Sequence, residues 1–212
     1  MNAIIFDFDG TLIDSASGIL GAFAHAFTTC GLEPVVPLAP TVIGPPLRDT
    51  LRYLAGVEDP PVLDRLTTAF KAHYDSAGCL ETQPFPGVET MLATLADAGL
   101  DLHIATNKRI FPTWRILTHL GWTTLFDRVY ALDAFSPLLP DKAALIARLL
   151  ADAGLDATQC AYIGDRPEDG LAARANRLVF YWAAWGFGVA PDRDEAVEGI
   201  LLRHPDPQKL LE

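Results

Sequence analysis

Cysteine is scarce in this chain: Cys30, Cys79 and Cys160 are widely spaced and show no CxxC or other metal-type pattern. Neither a disulfide framework nor a cysteine metal site organises it, and the three read as small buried hydrophobes of a reducing compartment. Basic side chains are also in short supply, with 16 Lys and Arg against 27 Asp and Glu and a formal net charge of −11. That balance argues against a nucleic-acid footprint or an anionic membrane surface. An anionic substrate has to be met by local cations that override the global field. Long apolar runs are missing as well: the longest, from Leu178 to Ala190, is too short to span a bilayer and is broken by Gly186 and Gly188. The N-terminus lacks the basic start, apolar stretch and small-residue cleavage site of an export signal, so the expectation is a cytoplasmic protein. GxSxG, HExxH, a P-loop and a GxGxxG fingerprint are absent, and the five histidines share no metal-ligand spacing.

What the chain does have is 212 residues, half of them hydrophobic, enough for one well-buried core and a modest insertion. Its opening stretch, Ile4-Ile5-Phe6-Asp7-Phe8-Asp9-Gly10-Thr11-Leu12, starts as an apolar run suited to a strand covered on both faces. Strand alternation would send Asp7 and Asp9 to one side and Phe6 and Phe8 to the other, so two carboxylates converge where the strand ends. Unit charges about 4 Å apart at an effective dielectric of 20 repel by roughly 4 kcal/mol, which calls for a shared proton or a cation. A hard divalent ion such as Mg²⁺ answers that need. Gly10 lets the backbone leave the strand at an angle a Cβ forbids, and Thr11 offers a hydroxyl beside the site.

Beyond this stretch, Asp14-Ser15 is placed to cap a helix carrying Ile19, Leu20, Phe23 and Phe27, with Gly31 ending it. Prolines 34, 37, 40, 45 and 46 with Gly44 then exclude a long helix and predict an irregular connection around Gly44-Pro45-Pro46. Helical patterns return over Leu47 to Ala55 and Pro61 to Ala77, the second presenting Leu63, Leu66, Phe70 and Tyr74 on one face. Residues 15–84 therefore read as an all-helical insertion, with 1–14 and 85–212 forming the main unit. In that unit, strands over Leu100–Ala105, Arg128–Leu132, Cys160–Ile163 and Leu178–Trp182 alternate with helices over Val88–Ala98, Pro112–Leu120, Asp141–Ala153 and up to Ala175. This rhythm predicts βαβ units, a doubly wound α/β fold with a parallel sheet covered on both faces. A helix is expected at the start of the tail from Arg193, broken by His204-Pro205-Asp206-Pro207.

Polar residues gather at the C-terminal ends of these strands, where open α/β sheets place ligands. Asp7 and Asp9 follow the first, Thr106 the second; Lys142 follows the third, and Asp165 and Asp169 the fourth. Carboxylates with a lysine on a common rim suit a divalent cation and an oxyanion. Trp182, Trp185 and Phe187 read as strand-end packing residues, with a place at the substrate mouth as the other option.

Asp7-Phe8-Asp9-Gly10-Thr11, the strand ending in Thr106, Lys142, and Gly164-Asp165 with Asp169 resemble the four ordered motifs of the haloacid dehalogenase-like hydrolase superfamily. The chain is similar to its phosphoglycolate phosphatase-like branch, whose helical cap follows the first motif. The resemblance implies a Rossmann-like core with a five-stranded parallel sheet and the first strand central. It implies a Mg²⁺-dependent phosphatase acting on a small phosphorylated metabolite, as monomer or homodimer. Asp7 would be the nucleophile and Asp9 the general acid and base. Asp7, the main-chain carbonyl of Asp9, Asp165 and Asp169 would hold the metal. Thr106 and Lys142 would serve the phosphoryl group, with Thr11 and Asn107 at the substrate. Relatives often carry proline directly after this lysine, whereas Pro140 precedes Lys142 here, so Lys108 stays in contention, its other reading being a solvated helix-end charge. In the insertion, Arg48 is a candidate for pairing with a second anionic group of the substrate, its other reading being a solvated helix-start residue. A phosphomutase or other phosphoryl transferase, and a binding protein without turnover, are the alternative functions.

Overall fold

The computed structural model describes residues 1–188 and 199–211. In chain order its elements are β1 (Ala3–Phe6), β2 (Ile13–Asp14), α1 (Ala16–Cys30), α2 (Leu47–Ala55), α3 (Pro60–Tyr74), β3 (Gln83–Pro84), α4 (Val88–Asp97) and β4 (Asp101–Thr106). Then come α5 (Ile110–His119), β5 (Arg128–Ala131), α6 (Lys142–Ala153), β6 (Cys160–Gly164), α7 (Pro167–Ala175), β7 (Val179–Ala183), β8 (Ile200–Leu202) and α8 (Gln208–Leu211).

The main sheet runs β5-β4-β1-β6-β7-β8, and every adjacent pair in it is parallel. β1 lies inside the sheet between β4 and β6, with Phe6 opposite both Ile104 and Ile163. Alternation along the strands divides the core. Ile4, Phe6, Leu102, Ile104, Ala161 and Ile163 face one apolar cluster, which they share with Met91, Leu92 and Leu95 of α4 and with Ile116 and Leu117 of α5. Ala3, Ile5, Ala105, Tyr162 and Phe180 face the other, with Leu145, Ile146 and Leu149 of α6. Both faces of β1 are thus buried, which is why it is an apolar run rather than an alternating one.

The α1–α3 segment leaves and returns through a two-stranded antiparallel ribbon, Ile13 opposite Pro84 and Asp14 opposite Gln83. Its own packing follows the expected faces: Phe23 of α1 lies against Phe70 of α3 at a ring separation of 4.8 Å, and Phe70 against Tyr74 at 5.3 Å. Two features differ from expectation. The ribbon is too short for a sequence period to announce it, and a sixth strand, β8, lies parallel to β7 in the tail. Three apolar residues in a row, Ile200-Leu201-Leu202, carry no period that separates strand from helix, and pairing with β7 decides it. The helix expected from Arg193 falls largely on residues 189–198, outside the described ones.

Candidate active site

Asp7 follows the last residue of β1, and its N–H continues the ladder by donating to the Ile163 carbonyl at 2.8 Å. The chain then turns sharply: the Phe8 carbonyl accepts from the N–H groups of Thr11, Leu12 and Ile13. Gly10 sits at φ +80°, and a Cβ there would lie 2.3 Å from Asp165 Oδ2, so the turn needs glycine for both conformation and space. Across the sheet, Asp165 follows β6 and Asp169 lies in the first turn of α7.

Carboxylate oxygens of Asp7, Asp165 and Asp169 lie within 4.8 Å of one another. All three residues are buried, at 3%, 1% and 0% exposure. Lys142, at the start of α6 and also buried, donates to Asp169 Oδ1 at 2.5 Å and lies 3.0 Å from Asp7 Oδ2. Asp169 further accepts from the Arg166 N–H at 3.0 Å, and Asp165 Oδ2 from the N–H groups of Phe187 and Gly188 at 2.7 and 2.9 Å. Two oxygens, Asp7 Oδ1 and Asp165 Oδ1, are buried with no partner among the described residues. Burial, reinforced by the charges of Asp169 and Asp165 and opposed by Lys142, pushes the Asp7 carboxyl up to about 7. Burial and Asp169 push Asp165 up to about 6 against the pull of the Gly188 and Phe187 N–H groups and Lys142. Burial would lower the Lys142 ammonium, but Asp169 and Asp7 outweigh it and leave its pKa raised. The donor set is all oxygen and buried, with two carboxylate oxygens lacking any partner, which fits a hard divalent cation such as Mg²⁺.

Asp9 goes elsewhere. Its Oδ1 accepts from Ser15 Oγ at 2.5 Å, and both its oxygens accept from Lys108 Nζ, at 2.9 and 3.1 Å. Strand alternation stops at Phe6, so it does not hold Asp7 and Asp9 side by side, and the Asp9 side chain lies outside the three-carboxylate cluster. Its main-chain oxygen is the atom the resemblance assigned to the metal. The reading of Lys108 as a solvated helix-end charge is corrected: its side chain is 4% exposed, and it also donates to Tyr74 Oη at 2.6 Å. Both lysines are therefore in the site, Lys142 against Asp7 and Lys108 against Asp9. Four carboxylates and two ammonium groups leave two negative charges, the complement of one divalent ion.

Thr106 ends β4, buried, its Oγ1 accepting from the Lys108 N–H at 3.1 Å. Thr11 is fully buried, its Oγ1 without a partner among the described residues and its carbonyl accepting from Trp185 Nε1 at 3.0 Å. Asn107 reaches the helical segment, donating from Nδ2 to the Gly44 carbonyl at 3.1 Å, while its Oδ1 is buried with no partner among the described residues. Beside Asp9 a cavity of about 60 Å³ separates the helical segment from the sheet rim. Ile19, Phe23, Ile43, Phe70 and Tyr74 line it from one side, and Asp9, Asn107, Lys108 and Arg109 from the other. Arg48 is not among its walls. It pairs with Asp64 at 2.5 Å on the exposed side of α2 and α3, because α2 turns Leu47, Thr50, Leu51 and Leu54 inward and position 48 falls off that stripe. The Gly44-Pro45 part of the same turn does face the cavity.

Ser15, Tyr74 and Gly188 had no place in the expected site, and Phe187, weighed as a packing residue or as part of the substrate mouth, instead holds Asp165 through its N–H. Ser15 looked like a helix cap, but its hydroxyl caps nothing and reaches Asp9 instead. Tyr74 looked like one more apolar-face residue. The alternating glycines of Trp185-Gly186-Phe187-Gly188 were the available signal for a close backbone approach: a Cβ on Gly186 would meet the Gly10 carbonyl at 2.1 Å.

A family model described as haloacid dehalogenase-like hydrolase matches residues 4–183. The chain belongs to that family. It is 34% identical to tyrosine-protein kinase PtkA of Mycobacterium tuberculosis over 210 residues, 99% of this chain and 71% of that one. It is 32% identical to a phosphoglycolate phosphatase of Xanthomonas campestris, over 97% of this chain and 93% of that one. The crystal structure of a predicted phosphatase from Clostridium acetobutylicum superposes with a TM-score of 0.88 at 26% identity, covering 99% of this chain and 98% of the other. The fold is that of this family, and the chain is a hydrolase with phosphatases among its relatives. No helix among the described residues is long and apolar enough to cross a membrane.

Proposed function

We propose that this hydrolase is a Mg²⁺-dependent phosphatase that cleaves a small phosphomonoester through an aspartyl-phosphate on Asp7. The observation that carries the reading is the buried cluster of the Asp7, Asp165 and Asp169 carboxylates, two of whose oxygens have no partner among the described residues, with Lys142 as counter-charge. Residues 1–14 and 85–212 act as the catalytic core and 15–84 as a cap over it. Asp7, Asp165 and Asp169, with the Asp9 carbonyl, would hold the ion, which when bound supplies positive charge for Asp7 and the phosphoryl oxygens.

The rest belongs to the chain's own side chains. The Asp7 carboxylate attacks phosphorus as the bond to the leaving oxygen breaks, and Asp9 gives that oxygen a proton. Water then attacks the phosphorus, Asp9 takes its proton, and the bond to Asp7 breaks to free phosphate. The Thr106 hydroxyl, whose oxygen accepts from the Lys108 N–H, has its own hydrogen to donate to a phosphoryl oxygen. Lys142 neutralises the same oxygens and Asp7. The cavity beside Asp9 receives the leaving group, with Asn107 at its edge.

Phosphate release from an aryl phosphate and from a panel of metabolite phosphates, with Mg²⁺ and with chelator, tests this. No Mg²⁺-dependent release from any ester defeats it. The likeness to PtkA supports a second reading, a phosphoryl transferase whose acceptor is not water. Following labelled phosphate separates the two: it appears as inorganic phosphate in the first and on a hydroxyl acceptor in the second.

A further inference from the structure

The Lys108 ammonium has three N–H donors, and the structure uses each: two on the oxygens of Asp9, at 2.9 and 3.1 Å, and one on Tyr74 Oη, at 2.6 Å. It also stands 4.7 Å from the centre of the Tyr74 ring. These groups come from three separate parts of the chain: Asp9 from the turn after β1, Lys108 from the loop after β4, and Tyr74 from the last turn of α3. Ser15, at the start of α1, supplies the remaining donor to Asp9. Asp9, Ser15 and Tyr74 are buried, and so is the Lys108 side chain, at 4% exposure. A short carboxylate held by an ammonium on both oxygens and by a hydroxyl on one has a fixed orientation. The ammonium is fixed in turn by a hydroxyl that belongs to the helical segment. Among that segment's other polar contacts with the core are Asn107 on the Gly44 carbonyl, Arg166 on the Thr41 carbonyl, Arg109 on Asp75 and Arg115 on the Asp75 and Ser76 carbonyls, none of which touches Asp9.

We propose that Lys108 is a positioning residue for Asp9, and that Tyr74 makes that positioning depend on the seating of the cap. With α3 in place the ammonium has all its partners and the Asp9 carboxylate is aimed. With Tyr74 withdrawn, one N–H of a buried ammonium has no partner and Lys108 is no longer held in one geometry, and Asp9 loses its aim with it. The inference rests on the proposed role of Asp9 as the group that moves protons in both half-reactions.

The test exploits a difference between those halves. An aryl phosphate such as 4-nitrophenyl phosphate has a leaving group that departs without a proton, so forming the aspartyl-phosphate asks little of Asp9. Hydrolysing it requires Asp9 to take a proton from water. Rapid-mixing measurements on the Mg²⁺-loaded full chain read both: the initial burst of nitrophenolate reports the first step, and steady turnover reports the second. In Tyr74→Phe and Lys108→Met the ratio of burst rate to turnover rate should rise by about tenfold or more over wild type, a modest share of the full general-base contribution. Lys108→Arg should restore part of it, and thermal unfolding run in parallel shows which variants fold. A loss of packing alone would slow both phases by a common factor. Equal slowing of both phases, or no change in either, in folded Tyr74→Phe overturns the proposal. Failure of the underlying reading looks different: the wild-type protein itself then releases no phosphate, or Asp9→Asn turns over at the wild-type rate.

Discussion

Replacing Asp7 by Asn keeps the side chain's size but removes the charge that Lys142 balances from 3.0 Å away, and an amide cannot form an acyl phosphate. Asp7→Asn is therefore expected to lose all measurable phosphate release and to take up no label from radioactive substrate. Asp9→Asn leaves the nucleophile intact and removes the proton carrier, so turnover should fall by roughly 10²–10⁴ while phosphorylated protein accumulates. Label bound to Asp7→Asn, or wild-type turnover in either variant, would reassign the roles. Arg48 belongs to a different category. Its pair with Asp64 is exposed, 42% on one side and 65% on the other, and exposed pairs contribute about 0–1 kcal/mol. Arg48→Ala should leave KM for anionic esters within about twofold of wild type, a change below 1 kcal/mol; a selective rise in KM for those esters would return Arg48 to the substrate.

Among the elements, the turn after β7 has the most testable role. Its N–H groups at Phe187 and Gly188 hold Asp165, and its Gly186 packs against the Gly10 carbonyl of the β1 turn. In Gly186→Ala the new Cβ has no room, so the turn must retreat and release Asp165 Oδ2. Mg²⁺ should then bind about tenfold more weakly or worse, consistent with loss of partners that orient a ligand. Titrating Mg²⁺ against thermal unfolding measures it, and unchanged affinity would show that the turn only packs. Gly21 provides the contrast. It lies exposed inside α1, and a methyl group there would have nothing within 4 Å, so Gly21→Ala should stabilise the protein by about 0.5–1 kcal/mol through helix propensity. Chemical denaturation reads that directly.

For the whole molecule, the buried carboxylates make stability depend on pH and metal together. Asp7 and Asp165 have folded-state values of about 7 and 6, above the ordinary 3.8. The unfolded chain then loses these protons first as pH rises, so their contribution is complete below about pH 4 and is lost as pH climbs through 6 and 7. In chelator, the melting temperature should fall between pH 5 and pH 8. Mg²⁺ binds the ionised form and opposes that fall, so its stabilising increment should be larger at pH 8 than at pH 5. An increment equal at both values would mean that the ion does not sit on these carboxylates. His103 acts in the opposite sense. Burial lowers its pKa from the ordinary 6.5, so the stability it contributes is present above that value and is lost as pH falls below it.

The order of the elements, a parallel sheet, and the placing of Asp7, Thr106, Lys142, Asp165 and Asp169 at strand ends and helix starts were legible in the chain, because each depends on local period and on residues beside it; the place of β1 inside the sheet was implied only by the family resemblance, since pairing with β4 and β6 decides it. The helical segment was legible for the same reason: Ile19, Phe23 and Phe27 repeat on one face of α1, as Leu63, Leu66, Phe70 and Tyr74 do on α3. What only the tertiary structure decided involves partners far apart in sequence. Lys108 looked solvated because nothing within its own helix end reveals Asp9, 99 positions away, or Tyr74, 34 positions away. Arg48 stood open between a specificity residue and a solvated helix-start residue because the turn beside it does face the core, and only the packing of α2 on α3 sends its side chain outward to Asp64. β8 needed β7 to become a strand. Local propensity and hydrophobic period describe which face of an element is buried; which charged groups meet across the buried faces is set by how the elements pack, and that information is spread over the whole chain.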